Sequence, residues 1–173
     1  MDVVAVSEDR ADLPQLIRGA RDLRTLLWQD PHRPRYHFLP PEGLFNDANG
    51  ALYWNGRYHL FYLARKPVPD PDHAGEEDWV TLWDHASSRD LLHWVYHTPA
   101  LLPPTDGSMP KGVYSGGVIR NAPRPTLIYH GHKLGTCVAV ADDDDLIRWT
   151  PLPANPVIHL HTDDEEFVVF DPC

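Results

Sequence analysis

The sequence predicts an all-β chain preceded by a single N-terminal helix, and three observations carry that expectation. The 173 residues include 18 Pro, 6 Trp and 7 Tyr, a turn-rich, aromatic-rich mix that suits short strands better than packed helices. From Pro31 onward, short apolar runs alternate with Pro, Gly and Asp clusters, the pattern of strands and turns. The third observation is a repeat. SSRDLLHW at 87–94 and DDDDLIRW at 142–149 share Asp-Leu-aliphatic-x-Trp, with Asp90 and Asp145 in equivalent places. Small antiparallel sheets recurring every ~40–50 residues are the mark of a β-propeller.

The helix is expected over residues 8–28. Leu13, Leu16, Ile17, Ala20, Leu23 and Leu27 recur there at three- and four-residue spacing, which makes one apolar stripe. It reads as a brace, so the chain divides into a helical extension over 1–30 and a β domain over 31–173.

The β domain is organised around residues 36–62, YHFLPPEGLFNDANGALYWNGRYHLFY. Leu52, Trp54, Tyr58, Leu60 and Tyr62 keep even parity on either side of Asn55-Gly56, which is a strong hairpin signal because both turn residues tolerate positive φ. Asn46-Asp47-Ala48-Asn49-Gly50 is expected to form a turn just before the first strand, with the amides of Asn46 and Asn49 hydrogen-bonded to the Asp47 carboxylate. Further strands are expected at 58–63, 80–88, 113–119, 126–131, 135–141 and 166–171. Residues 66–78, KPVPDPDHAGEED, read as a surface loop, too polar and Pro-rich for a strand.

Composition excludes several classes. A net charge of −10 argues against nucleic acid, whose phosphates need clustered Lys and Arg. No apolar run approaches the ~20 residues of a membrane span. The N-terminus, MDVVAVSEDRAD, has neither the basic nor the apolar region of a secretory signal, so a cytoplasmic location is expected. Two cysteines, Cys137 and Cys173, form no disulfide framework. The pairs His130/His132 and His159/His161 would share a strand face and invite Zn²⁺, but no third ligand has diagnostic spacing. The run from Asp142 to Asp145 lacks the alternating ligands of a Ca²⁺ loop and reads as a turn.

Four ordered motifs then resemble the family 32 glycoside hydrolases, the invertases, inulinases, levanases and related β-fructosidases. They are His37-Phe38 with Pro40-Pro41 and Asn46-Asp47-Ala48-Asn49-Gly50; Trp83-Asp84-His85-Ala86-Ser87-Ser88-Arg89-Asp90-Leu91-Leu92-His93-Trp94; Tyr114-Ser115-Gly116-Gly117; and Phe170-Asp171-Pro172. The resemblance implies a five-bladed propeller, of which this chain holds about two blades and the start of a third, with the active site at the axis. It implies Asp47 as the nucleophile of a retaining β-fructofuranosidase acting on sucrose or fructans, and Asp171 as the stabiliser of the transition state. Asn46, Tyr114 and Ser115 would contact the sugar, and Trp83 and Trp79 could offer aromatic platforms. No metal or organic cofactor is implied.

The family's third carboxylate, a Glu acting as general acid, lies beyond its Arg-Asp-Pro motif and is expected to be missing here. Glu165 and Glu166 match no family position and read as exposed charge. The chain alone is therefore expected to be inactive, and its open blade edges would suit a complementing chain or self-association. Leu44 stands for the family's Trp, Leu63 for Gln, Asp84 for Gly and Phe170 for Arg. These departures leave a second reading open, a non-catalytic carbohydrate-binding or partner-binding module.

Overall fold

The computed structural model describes residues 29–34, 36–40, 44–69, 77–160 and 172. The expected helix over 8–28 and the expected strand over 166–171 lie outside them. Nine strands follow in order: β1 (Leu44–Trp54), β2 (Arg57–Pro69), β3 (Glu77–Ser88), β4 (Trp94–Tyr96), β5 (Val113–Ile119), β6 (Thr126–Gly131), β7 (Gly135–Ala141), β8 (Trp149–Pro151) and β9 (Ile158–His159). They make two antiparallel sheets of the same plan, β1-β2-β3-β4 and β5-β6-β7-β8, with β9 added to β7. Among the described residues no helix is long and apolar enough to cross a membrane.

Local chemistry accounts for the hairpins. Asn55 (φ 45°) and Gly56 (φ 77°) turn the chain between Trp54 and its partner Arg57, a two-residue turn whose twist matches that of the strands. Asn55→Ala is expected to lower stability by about 1 kcal/mol, because a β-carbon without a local polar partner is strained at this φ. Urea unfolding followed by tryptophan fluorescence measures it, and an unchanged midpoint would show that the turn is not under this constraint.

The sequence repeat is a structural repeat. Each copy joins the third strand of its sheet to the fourth. Leu91 (φ 65°) and Leu146 (φ 57°) hold the same left-handed position in the two turns. In both, the indole N–H of the Trp that opens the fourth strand donates back to that leucine's carbonyl, Trp94 to Leu91 at 3.2 Å and Trp149 to Leu146 at 2.9 Å. Asp90 Oδ1 accepts the amides of Leu92 and His93. In the second copy Asp143 takes over, accepting Ile147 and Arg148.

One expectation is corrected at 66–78. β2 and β3 continue into this stretch from both sides, pairing Lys66 with Val80, Pro67 with Trp79, Val68 with Asp78 and Pro69 with Glu77. Among the described residues β1 begins at Leu44, opposite Arg65, and no other described strand pairs with that side of β2 beyond this point. Prolines two residues apart can both turn their missing N–H toward that unpaired side. Composition argued for a loop because it does not see the edge.

Over residues 61–64 and 81–88, β2 and β3 are buried on both faces. One face packs against the second sheet, with Phe61 edge-on to Trp149 (5.4 Å between centroids) and Trp83 against Tyr129 (6.3 Å). The other carries Tyr62, Trp94 and Tyr96, covered by the ring of Phe38 at 5.1, 5.1 and 5.9 Å. A buried ion pair, Lys66 with Asp84 at 3.6 Å, lies on this second face.

Three histidines, His59, His85 and His97, stack inside the first sheet. His59 Nδ1 and His85 Nε2 are 2.9 Å apart, sharing one proton, and the ring of His85 lies against Phe61 and His97 at 4.5 Å each. Arg57 Nε donates to Ser87 Oγ, which leaves that hydroxyl to donate to His97 Nε2 at 2.7 Å.

Candidate active site

Two irregular strand segments bring the chemistry together. Asp47 lies inside β1, where pairing with β2 slips twice, between Phe45 and Ala48 and between Ala48 and Gly50. The expected turn before the strand is thus a double β-bulge within it. A bulge re-aims side chains while the strand continues, and here it exposes the carboxylate. Ser115 sits in the matching irregularity of β5, between Val113 and Gly116. Its hydroxyl donates to Asp47 Oδ2 at 2.7 Å, a short hydrogen bond of the charge-assisted kind.

Two glycines permit this meeting. A β-carbon on Gly50 would stand 2.9 Å from Val118 of β5, so only a glycine lets the first strands of the two sheets approach this closely. A β-carbon on Gly116, next to Ser115, would stand 2.0 Å from the Ile128 carbonyl oxygen. Both act as spacers, a use of glycine that strand interiors reserve for close backbone approach.

The remaining expected residues fall into place unevenly. The Asp47 carboxylate is hydrogen-bonded by Ser115 rather than by the amides of Asn46 or Asn49. Asn46 is exposed, and Asn49 is buried with its side-chain N–H₂ unpartnered. Trp83 is fully buried, which departs from its expected role as a sugar platform. Its indole N–H donates instead to the Tyr114 carbonyl at 2.9 Å, fixing the strand that presents Ser115. Trp79 is exposed to 40%, beside Asp78, which pairs with Lys111. Asp171, Glu165, Glu166 and His161 lie outside the described residues.

Tyr114 is half-buried, with its ring 5.4 Å from that of His132 and 6.1 Å from that of His130. The two histidines therefore meet one aromatic ring, His130 from the end of β6 and His132 from the turn that follows it. Among the described residues no group of three His, Cys, Asp or Glu could hold a metal ion. The contact of Ser115 with Asp47 and the placement of His132 were missed at the level of sequence. For the first, the signal was the small-residue run Ser115-Gly116-Gly117 in a strand, which marks a bulge.

Chemically, an exposed carboxylate with one donor fixed to one oxygen leaves its second oxygen open to attack an electrophilic carbon. The model of the Glycosyl hydrolases family 32 N-terminal domain matches residues 37–173. Sucrose-6-phosphate hydrolase of Escherichia coli is 33% identical over 140 residues, covering 80% of this chain and 27% of that protein. Beta-fructofuranosidase 1 of Zea mays is 38% identical over 143 residues, covering 77% and 20%. Among solved structures, fructan 1-exohydrolase IIa from Cichorium intybus superposes with a TM-score of 0.59 at 34% identity, covering 74% of this chain and 24% of that one. Sucrose-6-phosphate hydrolase from Lactobacillus gasseri gives a TM-score of 0.61 at 29% identity, covering 89% and 30%. The chain spans about a quarter of the length of the curated relatives it matches.

Proposed function

The chain belongs to glycosyl hydrolases family 32, and from that premise we propose that it is the nucleophile-bearing part of a retaining β-fructofuranosidase acting on sucrose or fructans. The observation that carries the reading is the Ser115–Asp47 hydrogen bond across the first strands of the two sheets. It holds one carboxylate oxygen still and leaves the other to attack the anomeric carbon of a fructofuranosyl unit. In that step a carbon–oxygen ester bond to Asp47 forms as the glycosidic bond breaks, and the departing oxygen takes a proton from an acid. Water then displaces Asp47 and restores the carboxylate. Asp171 is proposed as the second carboxylate, hydrogen-bonding sugar hydroxyls as charge develops. Asn46 and Tyr114 would contact the fructosyl unit, with exposed Trp79 at the rim.

The test uses β-fructofuranosyl fluoride. Fluoride leaves without needing a proton from a general acid, so the first step depends on the nucleophile alone. Intact-protein mass spectrometry should find one fructosyl group on the chain, and peptide mapping should place it on Asp47. A chain that binds fructose yet is never labelled would instead be the binding module that the departures at Leu63 and Asp84 allow.

Ser115→Ala is expected to slow labelling about 10- to 100-fold, the worth of a hydrogen bond to a charged group. Single-turnover kinetics by mass spectrometry measure it. A rate within twofold of the unsubstituted chain would mean that Ser115 serves the sugar or the fold and does not position Asp47.

A further inference from the structure

Two hydrogen bonds fasten His132 to the segment that joins the sheets. Its backbone N–H donates to the Gly112 carbonyl at 3.1 Å, and its ring Nδ1 lies 3.3 Å from the backbone N–H of Lys111. That segment is itself anchored, because the Thr81 amide of β3 donates to the Lys111 carbonyl at 3.1 Å. A backbone amide can only donate, so Nδ1 is an acceptor and the neutral ring carries its proton on Nε2. Nothing among the described residues is hydrogen-bonded to Nε2.

The ring is half-buried beside Tyr114, the residue before Ser115, whose hydroxyl donates to Asp47. A donor of fixed tautomer, held at backbone and ring, thus lies against the aromatic ring that precedes Ser115 in the chain. Burial, followed by the charges of Lys133, His130 and Lys111, holds the ring below the usual histidine range, which keeps it uncharged near neutrality. The nearby Lys111 ammonium is already engaged with Asp78. A neutral donor suits a hydroxyl oxygen better than an anion.

We propose that His132 is a specificity-determining residue, its Nε2–H donating to a hydroxyl oxygen of the neutral sugar released from the fructosyl unit. The inference rests on the reading of Asp47 and Ser115 given above. Its test is an NMR titration of the whole chain with sucrose and, separately, with fructose, which lacks the released sugar. His132→Asn keeps an acceptor near the Nδ1 position and loses the Nε2 donor. It is expected to weaken sucrose about three- to tenfold and to leave fructose unchanged, which also shows that the variant folds. His132→Gln, whose amide nitrogen reaches the Nε2 position, should recover most of the loss. Sucrose affinity should be flat between about pH 7 and 8 for a donor that stays neutral there.

Equal weakening of both sugars would make His132 structural, and no weakening would mean that it does not touch the ligand. A sucrose affinity that falls as pH rises through this range would indicate a charged contact. Each of these overturns the proposal. If the unsubstituted chain binds fructose but not sucrose, the role of His132 fails while the reading of Asp47 stands. If neither sugar perturbs the signals around Asp47 and Ser115, both fail together.

Discussion

Asp47→Asn is expected to abolish fructosyl labelling, a loss of about 10⁴-fold or more, as when a covalent nucleophile is removed from its machinery. The amide fills the same space and can still accept from Ser115, so the fold should survive. Urea midpoints of the two proteins should therefore agree within error while labelling disappears. Residual labelling on another carboxylate would show that the nucleophile had been assigned to the wrong strand. A collapsed midpoint would mean that the carboxylate is needed to hold β1 and β5 together, and the two readouts separate these outcomes.

The second large effect is loss of stability in mild acid, caused by the stacked histidines. Burial is the main cause that lowers all three. Burial, with smaller contributions from the charges of His59 and Arg57, brings His97 down to about 4. His85 falls well below 6.5, with His97, His59 and Arg57 adding to burial. His59 is also lowered, burial being offset in part by a hydrogen bond to the Trp54 backbone and, more weakly, by the attraction of Asp145. Because the folded chain refuses protons that the unfolded chain accepts near pH 6.5, stability is fully present above that pH and drains away as pH falls toward 4. For His97 alone the fall from 6.5 to about 4 corresponds to about 3 kcal/mol once the ring is protonated.

The geometry gives the reason. His59 Nδ1 and His85 Nε2 share a single proton, so a second proton would place two N–H groups against each other. The measurement is the urea midpoint at pH 7.5 and at pH 4.5, a window above the range where carboxylates such as Asp78, itself lowered by Lys111, take up protons. His97→Gln should show a smaller acid loss than the unsubstituted chain. Equal losses in the two proteins would place the acid sensitivity elsewhere.

Much of the fold was legible because its signals are local. A period of two bounded by turn residues yields β5, β6 and β7 with the bounds expected, and Asn55-Gly56 closes the first hairpin as its φ preferences require. The Asp-Leu-aliphatic-x-Trp repeat was legible as an architectural unit, since the left-handed leucine and the returning indole bond recur together. What was not legible depends on the neighbour across space. Whether Trp83 offers its face to a ligand is decided by Tyr129 and the Tyr114 carbonyl, far away in the chain. Whether Pro67 and Pro69 break a strand is decided by where β1 begins. A turn and a double bulge around Asp47 require the same Asn and Gly residues, so composition could not separate them. The family relationship was legible from motif order, and the site's positioning bond from Ser115 was not.

The narrow gap that Gly50 leaves against Val118 has an evolutionary corollary. A β-carbon added there would press on the Val118 side chain, so a change at this position asks for a compensating change at 118 if the serine hydroxyl is to stay within reach of its acid.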